Sequence, residues 1–238
     1  IWNNTGGYHN VNGTQAAYAN NPESFGNGVA TAPWSFQWIF TLAGTYDYQC
    51  DPHVGIGMVG QIVVNSPPPP ALTYVPDNNF EQRLIQLGYD NLLDDSVLTA
   101  NINTIVSLDV NYLSISNLTG IEDFSNLHNL FCNDNNILSL DVSNLSNLVR
   151  LDCQYNDLTV LDVSNNPALT ILDCGANDLT VLDVSQNTAL TSLACYGNSL
   201  TILDVSNNID LIGLWCPYNS ITNLDVSSHT NLTNLWCF

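Results

Sequence analysis

The 238-residue chain contains no lysine, and Arg83 and Arg150 are its only cationic side chains apart from four histidines. Against 22 acidic residues they leave a formal net charge of −20. Such a field repels nucleic acid and anionic membrane surfaces. No apolar run reaches the ~20 residues that a membrane-spanning helix needs. Methionine occurs once, at Met58. No Ser–His–Asp grouping, phosphate-cradling glycine loop or acid–base carboxylate pair stands out, so enzyme chemistry is not expected. The hydrophobic share of 45% is ample for a core, and a change of composition along the chain argues for two domains.

The opening "IWNNTGGYHN" reads as strand and loop, and "LTNLWCF" stops in the middle of a repeat. Both ends read as the interior of a longer protein, so the missing leader says nothing about compartment. Residues 1–65 are rich in aromatics and glycine, with apolar residues in alternation. Trp34, Phe36, Trp38 and Phe40 fall on one predicted strand face; Tyr46, Tyr48 and Cys50 continue the pattern, and "GQIVVN" adds a final strand. This period-two pattern predicts an antiparallel β-sandwich. Residues 66–76, opening on "SPPPPAL", predict an extended proline-rich linker. Residues 77–106 predict a helical cap, with Asp77 at the start of the helix, Phe80, Leu84, Ile85 and Leu87 as its apolar stripe and Gly88 at its end.

From about residue 107 to the end a repeat dominates. Cys132, Cys153, Cys174, Cys195, Cys216 and Cys237 recur at 21-residue intervals, as do Asn135 to Asn219 and Asp141 to Asp225. In the unit "LVRLDCQYNDLTVLDVSNNPA" the predicted inward set is Leu148, Leu151, Cys153, Asn156, Leu158, Leu161 and Val163. One coil cannot bury that set alone, but stacked coils can. The consensus L-x-x-L-x-C-x-x-N-x-L resembles the leucine-rich-repeat family in its short bacterial form, which implies a β-solenoid. Equivalent thiols on parallel strands point the same way, which disfavours bridging; they read as core filler. The asparagines read as buried amides that satisfy turn backbone. The outward aspartates read as solvated or serine-bonded; calcium is a minor expectation, since no calcium-loop spacing appears. His128 and His229 read as incidental. Along one strand face the outward residues drift from acidic to aromatic. Tyr196, Trp215, Tyr218, Trp236 and Phe238 are therefore candidate partner-contact residues, unless further coils cover them.

The stretch "YQCDPHVGIGM" places Cys50, His53 and Met58 within nine positions, and "NTGGYHNV" supplies His9. Two imidazoles, a thiolate and a weak thioether describe a copper site better than a hydrolytic one. "GTYDYQCDPHVGIGMVGQIVV" is similar to cupredoxins of the plastocyanin and pseudoazurin type. The resemblance implies one type 1 copper, with His9, Cys50 and His53 as equatorial ligands and Met58 as the axial one. It also implies a cupredoxin-like sandwich whose first strands lie upstream of this chain. The expected whole is a secreted or cell-surface bacterial protein, in which an electron-transferring or copper-holding domain is joined to a partner-binding solenoid. Its partners would be a redox protein, or an extracellular protein or glycan, with self-association or filament formation as a further expectation. The alternative is a structural or adhesive component, such as a fibre subunit, in which copper only stabilises.

Overall fold

The alternating aromatics of the N-terminal segment form short strands around a small core. The structure is a computed structural model and describes residues 1–237; the expectation for Phe238 lies outside the described residues. The chain divides within the proline run into two compact units, Ile1–Pro69 and the residues from Pro70 onward. The first unit carries β1 (Trp2–Asn4), β2 (Tyr8–His9), β3 (Asn12–Gly13), β4 (Phe25–Gly26), β5 (Ala30–Thr31), β6 (Trp34–Phe36), β7 (Gly44–Gln49) and β8 (Val59–Val64). A four-stranded antiparallel sheet runs β4-β3-β7-β8, while β1 pairs β6 and β2 pairs β5. Val11, Phe25 and Tyr46 are buried at the centre, with Trp2, Trp34, Phe36, Phe40 and Tyr48 packed around them.

The strand expected across Trp34 to Phe40 stops at Phe36. Beyond it, the Glu23 carboxylate accepts both the backbone amide and the hydroxyl of Thr41, at 2.7 Å each. That clasp takes the backbone's donor away from any ladder. Phe40 instead turns onto Tyr46 and Phe25, with ring centroids 4.4 and 5.0 Å apart.

The second unit opens with β9 (Leu72–Tyr74), α1 (Asn78–Gln86), β10 (Ser96–Leu98) and α2 (Thr99–Ile102). Asp77 caps α1 through Oδ1, which accepts from the amides of Asn79 and Phe80. Its Oδ2 accepts from the amides of Ser116 and Asn117, which ties the cap to the first coil. Phe80 and Leu84 are buried, but Leu87 is not part of the stripe. It lies past the last helical residue, where the chain turns through Gly88 with φ +81°. Glu81 is the unexpected core residue: fully buried, its Oε1 accepts from the amides of Asp94 and Ser96.

The repeats give seven parallel strands, β11 (Ser107–Asp109), β12 (Asn129–Phe131), β13 (Arg150–Asp152), β14 (Ile171–Asp173), β15 (Ser192–Ala194), β16 (Gly213–Trp215) and β17 (Asn234–Trp236). Leu108 pairs Leu130 across the first, longer coil, and each later register step is 21 residues, as in Leu130↔Leu151. Every member of the predicted inward set from Leu148 to Val163 is buried. One continuous core runs from Val75 to Cys216. The asparagine column is satisfied coil after coil. Asn156, for example, donates to the carbonyls of Cys132 and Cys153, and its Oδ1 accepts from the amide of Ile137.

A second polar column escaped the sequence reading. Asn166, Asn187 and Asn208 are fully buried, and each donates to two carbonyls of the preceding coil. The same position is Leu145 in an earlier coil and His229 in the last. His229 is therefore not incidental: it is buried, with Nε2 3.1 Å from the Val205 carbonyl, as an asparagine amide would be.

The repeat cysteines are all free, and all but Cys237 are buried. Burial pushes the Cys174 thiol up to about 12, so it stays protonated and acts as a small apolar filler. Cys174→Ala is therefore expected to cost about 1–2 kcal/mol, a small-cavity penalty rather than the loss of a cross-link. Urea unfolding checks the magnitude, and mass spectrometry of unreduced protein checks that the thiols are unbridged.

Candidate metal centre

The local sequence explains how four separated residues come to share one end of the N-terminal unit. Cys50 directly follows β7 and caps a 3₁₀ turn over Asp51–Ile56 with Pro52 in its first turn. In a 3₁₀ turn, residues three apart stand nearly above one another. The His53 Nδ1 accordingly lies 3.3 Å from the Cys50 Sγ. Gly57, with φ +84°, ends the turn, and the Cys50 amide donates to the Met58 carbonyl at 3.0 Å. His9 arrives from β2, held beside Ala30 of β5, and its Nδ1 lies 3.5 Å from the same sulfur. The two imidazole rings are 4.6 Å apart. Ligand atoms of His9, Cys50 and His53 all lie within 4.8 Å of one another. Met58 lines the same 370 Å³ cavity as His9 and Cys50.

These donors fit a copper ion. His9, Cys50 and His53 stand close enough together to hold one metal ion. A thiolate with two imidazoles is the donor set that copper favours.

Three further residues shape the site. A Cβ on Gly7, whose φ is +89°, would sit 2.6 Å from the His9 Nε2, so only glycine leaves that ring its place. Asn10 and Asp51, the neighbours of His9 and Cys50, clasp each other twice. Asn10 Nδ2 donates to Asp51 Oδ2 at 2.7 Å, and the Asp51 amide donates to Asn10 Oδ1 at 2.8 Å. Asn12 and Gln49 both donate to Asp51 Oδ1. The Gln49 bond, followed by those from Asn12 and Asn10, holds the Asp51 carboxyl below the usual range. The signal in the sequence was a polar residue directly after each of two ligands. Asp51→Ala is expected to weaken copper binding ~10–100-fold, as loss of ligand-orienting contacts does. A competition titration with a chromophoric chelator measures this; Asp47→Ala, outside the clasp, should change affinity less than about threefold.

On the solenoid, the candidate contact residues differ in availability. Tyr218 and Trp236 are 73% and 52% exposed. Trp215 is half-buried, its ring lying over Gly213. Tyr196 is not simply outward: its hydroxyl donates to Gln154 Oε1 at 2.6 Å and its ring meets Tyr155. Each aspartate of the column Asp141, Asp162, Asp183, Asp204 and Asp225 accepts the amide of the serine two residues on, at 2.9 Å. These serine contacts hold the five carboxyls below their ordinary value.

Asp152 and Asp173 go the other way, raised first of all by burial. The signs give opposite pH dependences. A raised carboxyl opposes folding at neutral pH, and that cost is relieved as pH falls toward the ordinary value. A lowered one contributes stability that is lost as pH falls further. The solenoid's Tm is expected to rise as pH falls from neutral toward the ordinary aspartate range and to fall again below that range. Calorimetry across this range checks it, and Asp173→Asn should flatten the rise.

Residues 1–65 match the family model of copper binding proteins, plastocyanin/azurin family. Among curated proteins, Internalin J of Listeria monocytogenes serotype 4b (strain F2365) is 43% identical over 70 residues, 29% of this chain and 8% of that protein. Among solved structures, the functional domain of InlJ from Listeria monocytogenes, described as including a cysteine ladder, is 32% identical. That match covers 71% of this chain and 48% of that one, with a TM-score of 0.43. The internalin InlF from strain 4b F2365 shares the fold at 22% identity and a TM-score of 0.56, over 68% of this chain and 56% of that one. The chain thus spans less than half the length of the first relatives it matches. It joins a cupredoxin-like domain, matched over residues 1–65 by the copper-binding plastocyanin/azurin family, to a leucine-rich-repeat solenoid.

Proposed function

We propose that the N-terminal domain holds one type 1 copper and transfers single electrons, while the solenoid binds a partner at the bacterial surface or outside the cell. The observation that carries this reading is the gathering of His9, Cys50 and His53 around one point on a clamped loop. Copper supplies a one-electron couple when bound. The chain's own part is to keep the donors still. His9 ends one strand and Cys50 follows another, and the residues after them are locked together, so the donor positions resist change when charge changes. Little reorganisation then opposes electron transfer.

His53 also sits at the surface end of the site. Val54, Ile56 and Met58 beside it are exposed, Ile56 by 80% and Met58 by 43%. This apolar rim suits brief docking of a redox partner. The unit has no lysine or arginine against the acidic Glu23, Asp47 and Asp51, which favours a partner with a positive surface.

No helix among the described residues is long and apolar enough to cross a membrane. Surface or extracellular placement rests on the internalin likeness.

Copper(II) titration of the full chain, followed by visible spectroscopy and redox titration, tests the reading. An intense thiolate charge-transfer band and a reversible one-electron couple are expected. Copper bound without that band or couple would transfer the reading to a stabilising role within an adhesive or structural protein.

A further inference from the structure

Two residues after the inward Leu158, the repeat turns a side chain to solvent. Successive coils carry Ser139, Val160, Val181, Ile202 and Asn223 at that position. Val160, Val181 and Ile202 are 71%, 71% and 74% exposed, so they add little to the packing that holds the coils together. Apolar residues scattered singly over a surface are ordinary, whereas a contiguous row marks a contact area. Here the row is confined to three neighbouring coils and ends on polar residues at both sides. Two of its members open onto a groove of about 440 Å³, lined by Thr180, Val181, Asp183, Thr201, Ile202 and Asp204 among others.

An anionic row runs beside the apolar one. Asp162, Asp183 and Asp204 follow two residues later in each coil and are exposed. The serine amide on each Oδ1 fixes these carboxylates in place. The coil spacing then selects what can lie along the face. Neighbouring coils stand about 4.8 Å apart, which puts Val160 and Ile202 about 10 Å from each other. An α-helix along the solenoid axis presents residues i, i+3 or i+4, and i+7 on one side, and seven residues rise about 10.5 Å. An extended strand repeats its side chains on one face only every ~6.8 Å, which falls out of step with the coils.

We propose that this face docks an amphipathic, basic helix of a protein partner. Its apolar side chains would seat beside Val160, Val181 and Ile202, and its lysines or arginines against Asp162, Asp183 and Asp204. The inference rests on the reading of the solenoid as a partner-binding surface, and it names the face and the partner's chemistry. An apolar stripe with such spacing is how helices bind in apolar grooves. The acidic row sets the sign of the helix's polar flank. A second copy of the chain is a poor occupant. It carries a net charge of −20 and no lysine. Among the described residues α1 is the one α-helix longer than four residues, and its Phe80 and Leu84 already belong to the core. Charge and shape therefore point to a different protein.

Calorimetric titration of the full chain with two leucine–lysine peptides of about 14 residues and equal composition tests the assignment. In one the leucines follow helical spacing, and in the other leucine and lysine alternate. Both are used at physiological ionic strength, below the concentration at which they self-associate. The helical peptide should bind about tenfold more tightly than the alternating one. Val181→Ser combined with Ile202→Ser should weaken it about tenfold or more. Asp183→Asn combined with Asp204→Asn keeps the Oδ1 that accepts each serine amide and should weaken it about threefold. Asp109→Asn combined with Asp173→Asn removes equal charge from the strand face and should change binding less than about twofold. Equal affinity for the two peptides would overturn the helix match. Losses in the strand-face pair as large as in the groove pairs would reduce the attraction to diffuse charge and overturn the site. Binding that survives the groove variants but is lost in Trp215→Ser with Trp236→Ser would overturn this face and keep the partner-binding reading. Binding of neither peptide would overturn the docking face.

Discussion

Cys50→Ser is expected to abolish the blue charge-transfer band and to weaken copper binding by ~1,000-fold or more, because it removes the soft anionic donor from the set. The fold itself should survive. Cys50 is buried but lies outside the core cluster of Val11, Phe25 and Tyr46, and serine replaces its sulfur by a single smaller atom. No nearby group can take over. Asp51 is the adjacent carboxylate, and both its oxygens are occupied by Asn10, Asn12 and Gln49. The serine hydroxyl is neutral and hard. Met58→Gln provides the contrast: His9, Cys50 and His53 remain, so the ion should stay and the potential shift. Far-ultraviolet circular dichroism of each variant separates loss of ligand from loss of fold. A blue, copper-loaded Cys50→Ser protein would remove the thiolate from the site and the type 1 reading with it.

The solenoid was legible in the sequence because one spacing recurs in three residue types, and each has a different physical reason to recur. Leucines and cysteines fill identical slots, Asn135 to Asn219 satisfy backbone, and the aspartates bond the serines that follow them. The second buried column was hidden because its identity changes along the chain, from Leu145 through three asparagines to His229. A residue-identity search sees only the three asparagines, not the apolar and histidine residues that share their position. Glu81 was equally illegible. Its charge marks it as a surface residue, and only the fold brings the amides of Asp94 and Ser96 to its carboxylate. In the N-terminal unit, ligand spacing was visible, but strand lengths were not. The pattern through Trp38 and Phe40 has the right period, yet the Glu23 clasp on Thr41 outweighs it. Gly7 also left no pattern in the residues, since its role is the room it leaves for the His9 ring.

The largest stability effect is expected from the first asparagine column. Asn177 donates to the carbonyls of Cys153, Cys174 and Gly175 at 3.0, 3.2 and 3.2 Å, and its Oδ1 accepts from the Leu158 amide at 3.0 Å. Asn177→Ala would leave the Leu158 N–H without a partner in the core. Each buried orphan costs about 1–3 kcal/mol, so with the lost bonds the total should be about 3–5 kcal/mol. Because each coil contacts only its neighbours, a weak interface in the middle also divides the array. Urea unfolding should therefore show a lower midpoint and a smaller m-value, as two halves melt separately. Asn187→Leu is the informative comparison. The Asn187 Oδ1 has no partner to lose, and Leu145 already occupies that column. Losing its two donated bonds should cost about 1–2 kcal/mol. The ordering of the two variants tests whether the acceptor atom is what matters. If Asn177→Ala cost less than Asn187→Leu, the coils would be held by their apolar stack, with the amide ladder a minor contributor.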